Sequence, residues 1–198
     1  LAREALLAAA PRRREDHCRG REARPGRARR RRARPQRAEA TARLVRIADD
    51  LAEDHSSRIG SPGELATAAL VRSVQQQTGL VPLPAEPRID YLRRTVLDAA
   101  TPGSVLAQAV ALTDAAQDVR DLLSVDAWSV FGRLEGTLAT ELEPDDQLQP
   151  LLDDVLESLL AFAGILAQSM VRDESWAFLD AGGRLERAVR TIALLRQA

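Results

Sequence analysis

The sequence predicts an all-α fold: a single helical bundle of about seven helices, preceded by a disordered or spurious Arg-rich N-terminal segment. Three observations carry this expectation. Apolar residues recur at spacings of three and four through residues 36–198. Ser and Ser-Pro signals stand where helices would begin. No stretch alternates apolar with polar residues or carries a hairpin turn pair.

With 198 residues the chain has room for one domain of ordinary size. Hydrophobic residues make up 45% but aromatic residues only 3%, so Leu, Ala, Val and Ile must build the core. All 28 basic residues are Arg, a bias that points to a GC-rich coding sequence. The missing lysine excludes a Walker P-loop, which needs its Lys on the phosphates, and a Schiff-base enzyme, which needs an amine. Cys18 is the one cysteine, which rules out an intrachain disulfide and a multi-thiolate zinc site. No apolar run approaches the ~20 residues of a membrane span. No signal-peptide pattern is visible either, so the expected compartment is the cytoplasm.

The net charge of -1 conceals a division. Residues 1–35 hold 13 Arg against 4 acids (+9), and the remainder holds 15 Arg against 25 acids (-10). The two parts are therefore separate: 1–35 a low-complexity segment, 36–198 the folded domain. After a short helical-looking piece, Leu1 to Ala10, stopped by Pro11, come Arg12-Arg13-Arg14 and Arg29 to Arg32 among Gly, Ala and Pro, a composition that cannot bury a core. An off-frame or fragmentary start is the first reading of this segment and a disordered tail the second. A nucleic-acid arm is the third, disfavoured because the segment has no aromatic residue to stack on bases.

The first helix follows from Arg37, with Ala40, Leu44, Ile47 and Leu51 on one face and Glu39–Arg43 and Arg46–Asp50 as i,i+4 pairs. Asp49, Asp50, Glu53, Asp54 and His55 crowd its end. A metal site there is disfavoured, since neither histidine follows a Glu at the Glu-x-x-His spacing of bundle metal centres. Ser61-Pro62-Gly63-Glu64 starts a second helix through Leu65, Ala69 and Val71 to about Thr78, stopped by Gly79. Val81 to Pro87 is a proline-rich surface connector. The third helix covers about Arg88 to Ala100 and buries Ile89, Tyr91, Leu92 and Val96. The fourth starts at Thr101-Pro102-Gly103-Ser104 and runs to Leu123 with Leu106, Val110, Ala116 or Val119, and Leu123 as core. Ser124 caps a fifth with Val125, Trp128, Val130, Phe131, Leu134 and Leu138. Pro150 to Val171 is a long apolar helix with Leu152, Val155, Leu156, Leu159, Leu160, Ala163, Leu166 and Met170 as its apolar set. Asp173 caps the last, about Glu174 to Gln197, whose expected core face is Phe178, Ala181, Leu185, Ala188 or Val189, Ile192 and Leu195.

That last helix holds the most particular stretch of the chain, Ser169 to Ala188. Asp180–Arg184 and Glu186–Arg190 are i,i+4 pairs, and from spacing alone they read as a solvated face. The sharper reading is a polar groove for an anionic ligand, since Arg forks suit carboxylate and phosphate. Gly182-Gly183 disfavours a helix interior by up to ~1 kcal/mol each, which implies a close helix approach, a kink, or backbone meeting ligand. Hydrolase motifs are missing: there is no Gly-x-Ser-x-Gly elbow, and His55 beside Ser56 and Ser57 is adjacency, not a triad. Residues 36–46 and 186–196 echo each other at 5 of 11 positions (Arg37/Arg187, Ala38/Ala188, Thr41/Thr191, Leu44/Leu194, Arg46/Arg196), which implies two equivalent helices, neighbours in the bundle.

Three stretches together resemble the alpha-E domain family, a bacterial all-helical family of unknown function: Arg37-Ala38-Glu39-Ala40-Thr41-Ala42-Arg43-Leu44, Val119-Arg120-Asp121 through Trp128, and Met170-Val171-Arg172-Asp173 through Glu186-Arg187-Ala188. The resemblance covers about residues 36–198. Departures are Gln36 where the family carries Glu, Ala115 and Gln117 where it carries Asn and Arg, and Gly183 where it carries Arg. The resemblance implies association with circularly permuted ATP-grasp proteins, fused or separate, often beside transglutaminase-like peptidases, in peptide or amide-bond synthesis. The expected function is thus a non-catalytic helical partner or substrate-binding module with no cofactor of its own. Its ligand- or partner-binding residues would be Glu39, Arg43, Arg120, Asp121, Arg172, Asp173, Glu186 and Arg187. The alternatives are an enzyme using paired carboxylates in a bundle groove, and a nucleic-acid binder through the basic arm. The Ser169–Ala188 stretch becomes one wall of a polar groove facing the Arg37–Arg46 helix.

Overall fold

The computed structural model describes residues 34–197 apart from 56–59, 119, 121–122, 144–145, 170–171 and 173. Among the described residues there are seven α-helices and no strand: α1 Arg34–His55, α2 Pro62–Thr78, α3 Arg88–Leu97, α4 Val105–Gln117, α5 Val125–Leu138, α6 Leu148–Ser169 and α7 Glu174–Leu195. The Arg-rich segment expected over 1–35 lies outside them up to residue 33.

Local chemistry sets the helix starts where the sequence places Ser. The Ser61 hydroxyl accepts from the Glu64 N–H at 3.1 Å, Ser104 from Ala107 at 3.1 Å and Ser124 from Ala127 at 3.3 Å. Each satisfies one amide that has no partner within the helix. Gly79 ends α2 with φ +75, a left-handed conformation that glycine adopts without steric penalty. In the turn before α4, a Cβ on Gly103 would lie 2.0 Å from the Thr78 carbonyl oxygen. Only glycine lets α4 begin this close to the end of α2. The connector of residues 79–87 is pinned through Glu86, whose carboxylate accepts from Arg94 and from the Leu83 N–H. The Arg94 hydrogen bond is the main reason its carboxyl lies below the usual range.

The hub is α1, which packs against α2, α3, α4, α6 and α7. Its innermost side chains are small: Ala38, Ala42, Val45 and Ala48 are wholly enclosed. Short side chains on a central helix let several neighbours approach its backbone. The stripe expected as its core, Ala40, Leu44, Ile47 and Leu51, is rotated away from the centre. Only Leu44 is buried, and Ile47 is 52% exposed. A helix surrounded on most sides buries whichever residues its neighbours reach, and here they reach the alanines.

The rest of the core comes from α3 to α6. Tyr91, Leu92 and Val96 of α3, Leu106 and Leu112 of α4, Phe131, Leu134 and Leu138 of α5, and Leu152, Val155, Leu156 and Leu159 of α6 are buried. Each fully buried Leu or Phe contributes roughly 1.5–3 kcal/mol. Phe131 stacks at a tilt on Phe162 across the α5–α6 seam, ring centroids 4.7 Å apart. Three expectations are corrected here. Val125 of α5 and Leu160 of α6 are on the surface at 85% and 48% exposure. Helix α4 stops at Gln117, short of Leu123, although the apolar spacing continues. Val119 and Met170 lie outside the described residues.

Helix α7 inverts the expectation most. Its apolar stripe faces away from the bundle: Phe178 is 67% exposed, Leu185 50%, Val189 55%, Ile192 52% and Leu195 69%. Its inward residues are Gly183, Glu186 and Arg190. It packs on α1 and α2, whose facing side chains include Arg37, Thr41 and Gln77, so a polar surface meets a polar surface. No described helix is long and apolar enough to cross a membrane.

Candidate anion-binding groove between the first and last helices

Helices α1 and α7 run parallel. Arg37 reaches Glu186, and four residues further along both helices Thr41 meets Arg190. This register sets the two echo segments side by side as neighbours. Arg37 grips the Glu186 carboxylate with both ends of its fork, Nε to Oε1 at 2.7 Å and Nη2 to Oε2 at 3.0 Å. Arg190 donates to the same Oε1 at 3.1 Å, to the Thr41 hydroxyl at 3.3 Å and to the Gln77 side-chain carbonyl. Burial pushes the Glu186 carboxyl up, but the hydrogen bonds and charges of Arg37 and Arg190 outweigh it and hold the group below the usual range. Burial pushes the Arg190 guanidinium down, against the pull of Glu186.

Gly183 has a packing reason to be glycine. A Cβ there would fall 2.9 Å from the Gln36 amide nitrogen and 3.2 Å from its amide carbon. The Gln36 side chain lies against the α7 backbone where any other residue would place its own first carbon. Gly182 faces open space. Of the readings the sequence allows, close helix approach is the one realised.

Beside this junction opens a groove of about 440 Å³. From α1 it is lined by Gln36, Glu39, Ala40, Arg43, Leu44 and Ile47, from α2 by Gln77, and from α7 by Arg187, Arg190, Thr191 and Leu194. The displaced stripe of α1 reappears here, with Ala40, Leu44 and Ile47 as the apolar part of the wall. Glu39 accepts from Arg43 at 3.0 Å. Arg187 is exposed and has no acidic partner among the described residues. Counting the groove with the ion pairs beneath it, Arg37, Arg43, Arg187 and Arg190 stand against Glu39 and Glu186, four charges against two, a local surplus of +2. A cationic wall around an apolar floor suits an anionic group carrying hydrocarbon.

The structure thus gathers Glu39, Arg43, Glu186 and Arg187. It places Arg120 and Arg172 elsewhere: each is exposed, with its guanidinium over an indole, Arg120 over Trp128 at 5.5 Å and Arg172 over Trp176 at 5.4 Å. Asp121 and Asp173 lie outside the described residues. Sequence reasoning missed Gln36, Gln77 and Arg37 as parts of this site and held Arg190 only as the i,i+4 partner of Glu186. The echo alone held the signal for Arg37, by matching it to Arg187. Among the described residues no three metal-ligating side chains converge. The Asp49 carboxyl at the far end of α1 is buried, accepts from Gln149 at 3.0 Å, and is pushed up mainly by its burial.

Residues 35–198 match the model of a family named Alpha-E, described as a predicted alpha-helical domain with a conserved ER motif. The chain belongs to the Alpha-E family. The one Glu-Arg dipeptide of this Alpha-E sequence is Glu186-Arg187, which puts one residue in the buried ion pair and the next in the groove. An uncharacterized protein of Mycobacterium tuberculosis is 34% identical over 107 residues, covering 50% of this chain. An uncharacterized protein of Mycobacterium bovis is 33% identical over the same length. The match covers 12% of each of these relatives' own length. No solved structure matches the chain.

Proposed function

We propose that this Alpha-E chain is a non-catalytic binding module of an ATP-grasp peptide- or amide-ligase system, working in the cytoplasm, and that the α1–α7 groove holds an anionic group of the substrate or of the ATP-grasp partner. The observation that carries this reading is Arg187, a guanidinium without an acidic partner among the described residues, on a groove with a surplus of positive charge. Family membership supports it, and so does the much greater length of the relatives, in which other domains would do the chemistry. A transglutaminase-like peptidase is the second expected companion. A catalytic carboxylate pair is disfavoured in the groove, because Glu39 and Glu186 are both held by Arg. A carboxyl kept below its ordinary range is also poorly suited to donate a proton near neutral pH.

The test is co-purification of the chain with the ATP-grasp protein encoded beside it, together with a ligation assay of the pair. The expected outcome is a complex whose activity falls at least roughly tenfold when Arg43 and Arg187 are both changed to Ala, the scale of one lost charge-assisted contact. Turnover by the isolated chain, with no complex formed, would overturn the proposal.

A further inference from the structure

We infer that the groove's ligand presents a single carboxylate attached to an apolar side chain, the chemistry of a peptide's C-terminal residue, and that this carboxylate supplies to Arg187 the anion that Gln36 does not. The inference rests on the reading above that the groove binds an anion, and it names which anion.

It begins from the local pairing of the two echo helices. In a parallel pair related by an approximate two-fold along their axes, a contact between one residue of each helix has a mate between their counterparts. The Arg37–Glu186 ion pair is one such contact. The counterpart of Arg37 is Arg187 and the counterpart of Glu186 is Gln36, so the mate is Gln36 with Arg187, and both line the groove. One half of the arrangement holds an Arg–carboxylate pair. The other half, where Arg187 and Gln36 line the same groove, has no carboxylate.

Two further observations show this half to be incomplete. The Gln36 side-chain oxygen is enclosed and has no hydrogen-bond donor among the described residues. Arg187 has no acidic partner there, whereas Arg37, Arg43 and Arg190 each have one. A single uncommitted guanidinium suits one carboxylate, whose two oxygens match its fork. It is poorly matched to a doubly charged phosphate, which would have to draw Arg43 or Arg190 out of existing pairs.

The walls supply the rest of the ligand's chemistry. Ile47 is 52% exposed and Leu194 36% exposed, and both line the groove beside Ala40 and Leu44. An apolar side chain on the carbon next to the carboxylate would cover them. An unsubstituted anion would leave them in water.

The test uses the full chain, titrated by calorimetry or NMR with N-acetyl-leucine, with N-acetyl-leucine amide and with inorganic phosphate. N-acetyl-leucine is expected to bind, and the amide, which lacks only the charge, to bind at least roughly tenfold more weakly, as expected for losing a hydrogen bond to a charged group. Gln36→Glu is nearly isosteric and builds the missing anion into the protein. It should leave the melting temperature at or above that of the parent while weakening N-acetyl-leucine roughly tenfold, and Arg187→Ala should weaken it by a similar factor. Equal binding of acid and amide, or undiminished binding by Gln36→Glu, overturns the inference. Arg187-dependent binding of phosphate without binding of N-acetyl-leucine overturns it while leaving the anion groove standing. Binding of neither probe brings down both.

Discussion

Helices α6 and α7 have the same length, 22 residues, and each carries an apolar stripe at helical spacing, yet they join the bundle by opposite faces. Helix α6 buries Leu152, Val155, Leu156 and Leu159 against α1 and α5. Helix α7 turns Phe178, Leu185, Val189 and Ile192 to the outside and docks through Glu186 and Arg190. An amphipathic period says that two faces differ; the partner surface decides which of them goes inward. Helix α6 packs on α1 and α5 with its leucines and Val155 buried, and α7 meets the side of α1 bearing Arg37 and Thr41. One attachment is driven by removing hydrocarbon from water, the other by charge-assisted hydrogen bonds.

Substitutions can break this contrast, and the largest effect belongs to α6. Leu152→Ala empties a fully buried site and is expected to lower global stability by about 2–5 kcal/mol, read from denaturant unfolding. Glu186→Gln is expected to weaken α7 docking by about 2 kcal/mol, because it leaves the half-buried Arg37 and the more deeply buried Arg190 without their shared anion. Amide exchange would show α7 losing protection while α5 and α6 keep theirs. The pH dependence follows from the same group. Its folded carboxyl sits below the ordinary 4.5, so its stabilisation is complete above that value and is lost as pH falls through the lower folded value. Protection of α7 should therefore fail in acid before that of α6, and Glu186→Gln should remove this acid dependence of α7. The smallest effect is expected at Leu185→Ser on the outward stripe of α7, within about 0.5 kcal/mol of the parent. A loss of several kcal/mol there would mean that this stripe is covered.

Much of the architecture was legible because it is local. Ser61, Ser104 and Ser124 cap helices as their spacing predicts, and Gly79 ends one by its left-handed backbone. Most of the cores of α3, α5 and α6 followed from period alone, since helices with one large apolar face and one apolar partner leave little choice, though Val125 and Leu160 are exposed. The failures came where that condition lapsed. On α1, Ile47 belongs to the longer apolar stripe, but the neighbours close over Ala38, Ala42 and Ala48. On α7, Phe178 and Leu185 carried the stronger hydrophobic pattern, while the contacts were made by Glu186 and Arg190. Half of the groove was legible for the same local reason: Glu39–Arg43 and Glu186–Arg190 are i,i+4 pairs. The joining contact, Arg37 to Glu186, spans 149 residues and left its trace only in the echo. Arg120 and Arg172 could not be separated from the groove by sequence, because nothing in a linear motif tells which side of a bundle it will occupy.

The polar seating of α7 has a thermal consequence. Releasing this helix would expose little new hydrocarbon, and heat-capacity change tracks hydrocarbon exposure. Its docking equilibrium should therefore be nearly flat with temperature compared with the unfolding of α1 to α6, and should answer to ionic strength instead, through the partial screening of its Arg–Glu–Arg contact. The last helix behaves as an ionic latch on a hydrophobic bundle.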